Sequence, residues 1–342
     1  MAGENHLTYF KVENFKRFKE LEVKDIGQFN LVLGDNNVGK TSFLEALLFE
    51  SWYSDWSFLN FKWALIQKNA DASYKGDVMY AYLNREQVGK YSEELIKYRF
   101  EFASGDFDDR KGKDFQINVS GGGFVVEPPI TSPLLQYESD ASKRLELSPD
   151  FKAPLIPFSL AYKDDLVYQY SKDIQEDKYS KNALINGLKI IVPSINDIEV
   201  SLKQKDSPSL LIKRSDYRFS MPLVSFGDGV NKLFRILCDI IWFRGKRLMI
   251  DEIDTGIHYS RMKDFWETIL LAAKENDVQL FASTHNLECI KYFKEALEEL
   301  SDLQDKARTI TLVEHLQTKD ILAHTNHFDV LESELALGNE VR

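Results

Sequence analysis

Cysteine is nearly absent, with Cys238 and Cys289 the two in 342 residues, each inside an apolar helical pattern. That count excludes a disulfide scaffold, and the pair reads as buried free thiols of a reducing compartment. Internal repeats and low-complexity tracts are missing. So is any heptad pattern long enough for a coiled-coil arm. The longest apolar helical run, Leu233 to Phe243, is too short for a bilayer and carries Arg235 and Asp239. No basic-then-apolar leader opens the chain, so the expectation is a cytoplasmic protein with no membrane partner. Basic excess is also missing. With 54 acidic against 43 basic residues the net charge is −11. That balance argues against a general electrostatic grip on nucleic acid and leaves room only for a local basic patch.

What is present belongs to a soluble globular chain: 44% hydrophobic and 28% charged residues. The length suits one large α/β domain with an insertion, or two modest domains. Two stretches at opposite ends carry the chemistry. The first runs from the apolar Phe29–Leu33 into Gly34-Asp35-Asn36-Asn37-Val38-Gly39-Lys40-Thr41-Ser42, and then into the helical pattern Phe43–Leu48. This is Gly-x-x-x-x-Gly-Lys-Thr, the phosphate-binding loop, between a strand and a helix as its chemistry requires. Gly34 and Gly39 permit a backbone that turns successive N–H groups, with those of Asn36, Asn37 and Ser42, around a phosphate. Lys40 supplies a point charge for the β- and γ-phosphates, and Thr41 offers Mg²⁺ a hydroxyl.

Ahead of the loop, Leu7–Val12 and Leu21–Val23 alternate as strands around an aromatic turn, Asn14–Phe18. Behind it, residues 51–80 are rich in aromatics at a spacing that reads as core. Lys97–Phe102 and Phe115–Val119 read as strands. Between them, Asp106–Gly112 resembles a calcium loop but has Ile117 where the closing acid is required, so it reads as a hairpin tip. A helical pattern spans Leu166–Ile191 up to Pro193, and short strands follow at Ile198–Leu202, Ser209–Lys213 and Arg218–Met221. The expected division is 1–160 as an N-terminal lobe with a β-rich insertion, 161–222 as an inserted helical and β lobe, and 223–342 as a C-terminal lobe.

The second stretch begins at Arg247-Leu-Met-Ile250-Asp251-Glu252, a buried strand ending in two carboxylates. Asp251 suits the Mg²⁺ shell, and Glu252 suits orienting and deprotonating an attacking water. Upstream, Ser225-Phe-Gly227-Asp-Gly229 opens the apolar helix as a second anion-binding helix start. One nucleotide rarely needs two such sites in one fold, so this helix is expected to cap the γ-phosphate bound to a second copy. Downstream, the strand Val278–Ala282 ends in Ser283-Thr284-His285, which places a histidine where it can donate to that phosphate or to the water. Arg308 with His315, and His324 with His327, read as structural or surface features.

These pieces, in this order, resemble the ABC-class ATPases of the SMC, RecF and OLD type. Within that class they are most similar to the short OLD-like ATPases of bacterial antiphage defence and restriction loci. Asn14-Phe-Lys-Arg17-Phe18, Ser225–Gly229, Asp251-Glu252-Ile-Asp254-Thr-Gly-Ile-His258 and Ser283-Thr-His285 carry the resemblance, over 7–50 and 162–342. It implies an α/β, ABC-type P-loop ATPase with a β-rich lobe and an inserted helical lobe, using ATP and Mg²⁺. It also implies a head-to-tail nucleotide sandwich, with Lys40, Thr41, Asp251, Glu252 and His285 of one subunit facing Ser225 and Gly227 of another. Lys40, Glu252 and His285 would be catalytic, and Arg17 would reach the phosphates. Gln67 is a guess for the family's Q-loop glutamine. OLD nucleases append a Toprim domain; the residues after His285 are too few for it and hold no Asp-x-Asp. The expectation is therefore an oligomerising switch acting on a separately encoded effector, a nuclease. The alternative is a DNA-binding repair ATPase of the RecF or SMC kind. A monomeric P-loop kinase is disfavoured, because Ser225–Gly229 would be idle in it.

Overall fold

In the computed structural model, the described residues are 6–48, 94–102, 113–120, 123–127, 154–158, 164–201 and 208–338. The aromatic-rich segment 51–80, the loop Asp106–Gly112 and Gln67 lie outside them. The first elements are β1 (Leu7–Phe15), β2 (Phe18–Val23), β3 (Phe29–Leu33) and α1 (Lys40–Ala46). Three strands follow, β4 (Glu94–Phe102), β5 (Lys113–Ser120) and β6 (Gly123–Glu127). Next come β7 (Leu155–Ile156), α2 (Asp164–Gln169), a π-helical turn at Tyr170–Ile174, and α3 (Lys178–Leu188). β8 (Ile195–Ser201), β9 (Ser209–Arg214) and β10 (Met221–Pro222) lead to α4 (Asp228–Trp242) and β11 (Arg247–Ile250). The chain then forms α5 (Met262–Glu275), β12 (Gln279–Ser283), α6 (Leu287–Glu299), β13 (Ala307–Glu314), β14 (Ile321–Asn326) and α7 (Phe328–Ala336).

The chain clusters into two compact units: residues 1–155 with 308–326 and 341–342, and residues 156–307 with 327–340. Strands β13 and β14, placed by sequence with the C-terminal lobe, thus cluster with the phosphate loop.

In the first unit β1 and β2 form a hairpin closed at Phe15↔Phe18, with Lys16 at φ 50° in its tight turn. The strand persists to Phe15, past the expected turn at Asn14, because the cross-strand pairs Phe10–Val23, Val12–Leu21 and Phe15–Phe18 are all buried. The hairpin continues into an antiparallel sheet of order β2-β1-β4-β5-β6. Strand β3 neighbours β13, which pairs antiparallel with β14. All five β3 residues are buried, the pattern of a strand covered on both faces.

In the second unit β11 and β12 pair in parallel, joined through α5, as a β-α-β crossover requires. A separate antiparallel sheet has the order β10-β9-β8. The largest buried side chain of the unit is Trp266, whose indole N–H donates to the Cys289 carbonyl at 3.1 Å and whose ring meets Phe293 edge-on at 4.8 Å. The helix expected over Leu166–Ile191 is divided. Asp177 stops the first part and caps the second, accepting from the N–H groups of Tyr179 and Ser180, both at 3.2 Å. The strand expected at Arg218–Met221 shrinks to Met221–Pro222, since Arg214 folds onto Asp216 and turns the chain. Among the described residues, no helix is long and apolar enough to cross a membrane.

Candidate active-site residues in the two units

The phosphate loop lies wholly in the first unit. Gly34 leaves β3 at φ 136°; a Cβ there would stand 2.5 Å from the Leu312 carbonyl oxygen and 2.8 Å from Val38 Cγ1. Gly39, at φ 115°, caps α1, and a Cβ on it would meet the Phe18 ring at 2.9 Å. Both glycines are therefore demanded by backbone conformation and by close approach. Lys40 is buried, and its ammonium donates to the carbonyls of Gly34 at 2.8 Å and Asp35 at 3.0 Å. Asn36 and Asn37 are exposed on the loop, and Thr41 and Ser42 are half-buried at the helix start. No side chain caps α1, and no acidic residue stands in its first turn. The donor set therefore fits an anion such as a nucleotide phosphate.

Arg17 sits at the edge of this loop. Its guanidinium donates to the Asn37 carbonyl and, at 2.6 Å, to Glu314 Oε2. The neighbouring Lys16 pairs with Glu45, a fully buried carboxylate on α1. The hairpin turn thereby grips both the phosphate loop and its helix. Sequence reading singled out Arg17 but neither Glu45 nor Glu314; a lone acid inside the apolar face of α1 was the available signal.

The acidic strand end and the histidine lie together in the second unit. Asp251 is buried after β11, and the Ser283 hydroxyl donates to its Oδ1 at 2.7 Å. The same hydroxyl oxygen accepts from the Glu252 N–H at 2.9 Å. Glu252 has φ 46°, a left-handed backbone that non-glycine residues seldom adopt. Its carbonyl accepts from the Lys232 ammonium at 2.5 Å and from the Thr255 N–H at 3.1 Å. Thr284 donates to Asp254 Oδ1 at 2.7 Å, fixing the next acid of the turn. His285 Nδ1 stands 3.9 Å from Glu252 Oε1, and both side chains are about two-fifths exposed, at 44% and 38%. That separation exceeds a hydrogen bond and leaves each group accessible to a third partner.

Ser225 and Gly227 are exposed in the same unit. Ser225 lies in a single 3-10 turn, Leu223–Phe226; the helix itself starts at Asp228 with Gly227 as its cap at φ 82°. The cap expected at Ser225 is thus Gly227, whose carbonyl accepts from Asn231 N–H at 3.2 Å and Nδ2 at 2.7 Å. Gly229 packs so tightly that a Cβ would lie 2.6 Å from the Gly256 carbonyl oxygen. Lys232, missed by sequence reading, is buried; burial pulls its ammonium down to about 8 despite the carboxylates of Asp254, Glu252 and Asp251. Its signal was a lysine at a core position of an apolar helix. Burial likewise pushes the Cys289 thiol up to about 12, with the Asp254 charge adding to it.

No group of three or more His, Cys, Asp or Glu side chains suited to a metal occurs among the described residues. Taken unit by unit, Thr41 offers a hydroxyl in the first and Asp251 a buried carboxylate in the second, both donor types that Mg²⁺ accepts beside phosphate and water oxygens. Arg308 and His315, set aside on sequence, hold local structure. Arg308 grips Asp25 at 3.2 Å, and His315 Nδ1 accepts from the Thr318 N–H at 3.2 Å.

Residues 29–290 match the family model described as "AAA domain, putative AbiEii toxin, Type IV TA system". The chain is 23% identical over 339 residues to an ATP/GTP phosphatase of Helicobacter pylori, spanning 84% of this chain and 88% of that protein. Its fold is similar to a Smc head bound to the C-winged helix domain of ScpA: TM-score 0.55, 12% identity, 96% of this chain and 99% of that one. A Smc head with an extended coiled coil, bound to the C-terminal domain of ScpA derived from Pyrococcus furiosus, gives 0.54 at 11%, covering 97% and 99%. The family match spans most of the chain and the structural likeness carries the fold. The chain belongs to this AAA-domain family, and it is an α/β P-loop ATPase built like an SMC head.

Proposed function

We infer that the protein is an ATP-binding and ATP-hydrolysing switch that assembles head to tail and regulates a separately encoded effector, a nuclease, in antiphage defence of the OLD-like kind. Lys40 and the loop N–H groups take the phosphates, with Gly34, Asn36, Asn37, Gly39 and Ser42 shaping or lining that cradle. Arg17 adds charge at its edge. Thr41 and Asp251 would hold Mg²⁺, which would supply neutralisation of phosphate charge. Glu252 accepts the proton of the attacking water, and His285 donates toward the developing phosphate charge. Ser225 and Gly227 meet the nucleotide of the second copy.

The observation that carries the reading is the pinned Glu252. A carboxylate held in a left-handed turn, with Asp251 and His285 beside it, is organised for orienting water. The family's description, which names an AbiEii toxin and a Type IV system, supports the defence setting.

The test is the solution mass of Glu252→Gln with and without Mg-ATP, by light scattering behind size exclusion, beside the ATPase rate of the wild type. An ATP-dependent gain in mass supports the sandwich, and the trapped form becomes the bait for the effector. A monomer in both conditions overturns the role given to Ser225 and Gly227. The fold likeness to Smc heads is compatible with one second reading, a DNA-binding repair ATPase of the RecF or SMC kind. Retention on DNA with a steep salt slope would select it.

A further inference from the structure

We propose that Lys232 is a positioning residue, holding Glu252 in its working geometry and tying that geometry to the start of the helix meant to meet a second copy's nucleotide. The proposal rests on the ATP-switch reading above.

A lysine at this place needs a reason. Position 232 is 3% exposed on α4, between Asn231 and the fully buried Leu233 and Phe234. Packing alone would be served by leucine or methionine, and an ammonium taken out of water is costly unless paired. Its partner is the backbone carbonyl of Glu252 at 2.5 Å, with the charges of Asp254, Glu252 and Asp251 around it and Cys289 facing it from α6. The Glu252 peptide is therefore held from both sides, its N–H by Ser283 and its carbonyl by Lys232 and the Thr255 N–H. Those three holds oppose relaxation out of the left-handed backbone at φ 46°.

A second contact joins the same two segments. Gly229, one turn before Lys232, meets Gly256 so closely that a Cβ would fall 2.6 Å from its carbonyl oxygen. Gly256 itself, at φ 79°, lies where a Cβ would be 3.1 Å from Asp228 Cβ. The first turn of α4 and the turn 252–256 are therefore interlocked at two points, one steric and one charged. Displacement of the helix start by a ligand on Ser225 and Gly227 would carry the Glu252 carbonyl with it, and with the carbonyl the direction of the carboxylate. Hydrolysis by one copy would so be gated by whether its own α4 is engaged elsewhere.

The test is Lys232→Met, which keeps the volume and removes the charge and the donor. Three measurements are made: steady-state ATPase, binding of a fluorescent ATP analogue, and mass with Mg-ATP. Misplacing a catalytic group by about 1 Å costs on the order of 10²-fold. We therefore expect kcat down roughly 10- to 100-fold, KM and analogue affinity within about twofold. We also expect an ATP-bound assembly that persists as it does in Glu252→Gln. Lys232→Arg, which keeps a cation and donors, should recover most of the loss. A folded Lys232→Met chain with wild-type kcat overturns the proposal, as does an Arg chain as slow as the Met chain. Should Lys232→Met not fold, Lys232→Gln is judged by the same criteria. A wild-type chain without ATPase activity would instead overturn the underlying reading, so the two failures are told apart.

Discussion

Replacing Ser283 by alanine removes one oxygen that serves two neighbours. The hydroxyl donates to Asp251 Oδ1 at 2.7 Å and accepts from the Glu252 N–H at 2.9 Å, at a position with no solvent exposure. Losing a hydrogen bond to a charged carboxylate costs about 1.5–3 kcal/mol, and leaving a partly buried N–H without its partner costs about 1–3 kcal/mol. The two share one atom and are not additive, so a loss of about 2–4 kcal/mol is expected for the second unit. With a denaturant slope of about 2–3 kcal/mol/M, the urea midpoint should fall by about 1 M. Function should suffer separately. Without the Ser283 hold, the left-handed backbone of Glu252 can relax, and kcat should fall roughly 10²-fold. Nucleotide binding without Mg²⁺, governed by the phosphate loop, should stay within about twofold. Urea unfolding, single-turnover ATPase and analogue binding in chelator read these three quantities. A chain with wild-type midpoint and wild-type rate would refute the reasoning outright. A lowered midpoint with an unchanged rate would refute the link between the pinned backbone and hydrolysis.

Other outcomes follow from single contacts. Gly34→Ala places a methyl 2.5 Å from the Leu312 carbonyl oxygen at φ 136°, so ATP binding should be lost and stability should drop by about 2–4 kcal/mol, read by analogue titration and urea unfolding. Trp266→Ala removes the largest buried side chain of the second unit and should cost about 3–5 kcal/mol by the same unfolding assay. Cys289 and Cys238 are fully buried, and the Cys289 thiol is raised to about 12, so a thiol reagent at pH 8 should react with neither until urea is added. Lys232 is lowered from 10.5 to about 8, so the folded chain releases its proton first. From that group wild-type stability should rise relative to Lys232→Met between about pH 8 and 10.5, by up to ~3 kcal/mol, and stay flat below pH 7.

The parts legible in the sequence were those whose chemistry is local. The phosphate loop needs two glycines and a lysine within eight residues, and a strand ending in Asp251-Glu252 announces itself by an apolar run closing on carboxylates. The parts that escaped are set by distant contacts. Lys232 belongs to the site because α4 packs against the turn after β11, a relation that helical periodicity alone does not contain. Glu45 and Glu314 gain meaning from Lys16 and Arg17 in the hairpin turn, far away in sequence. The break at Asp177 inside a helical pattern was readable in principle, as an acid able to cap the helix behind it. Apolar periodicity ran through the capping signal and outweighed it.

The arrangement of Asp251, Glu252 and Ser283 follows from one structural fact, the parallel pairing of β11 with β12. Parallel strands deliver their C-terminal ends to the same edge of a sheet, which is where open α/β folds place ligands. The register sets Ile250 opposite Ala282, so the next residues out, Asp251 and Ser283, face one another. The hydroxyl-to-carboxylate bond at 2.7 Å is the direct product of that register. A slip of one residue would turn the Ser283 side chain to the opposite face and leave the Glu252 N–H without its acceptor. The apolar residues Leu248, Met249, Ile250, Leu280, Phe281 and Ala282 are all buried on two covered faces, so a slip would exchange side chains of different volume in a filled core and is opposed by packing. Hydrophobic burial in the strands therefore sets the orientation of polar groups just beyond them. In this way the packing of two strands determines where the Glu252 backbone turns.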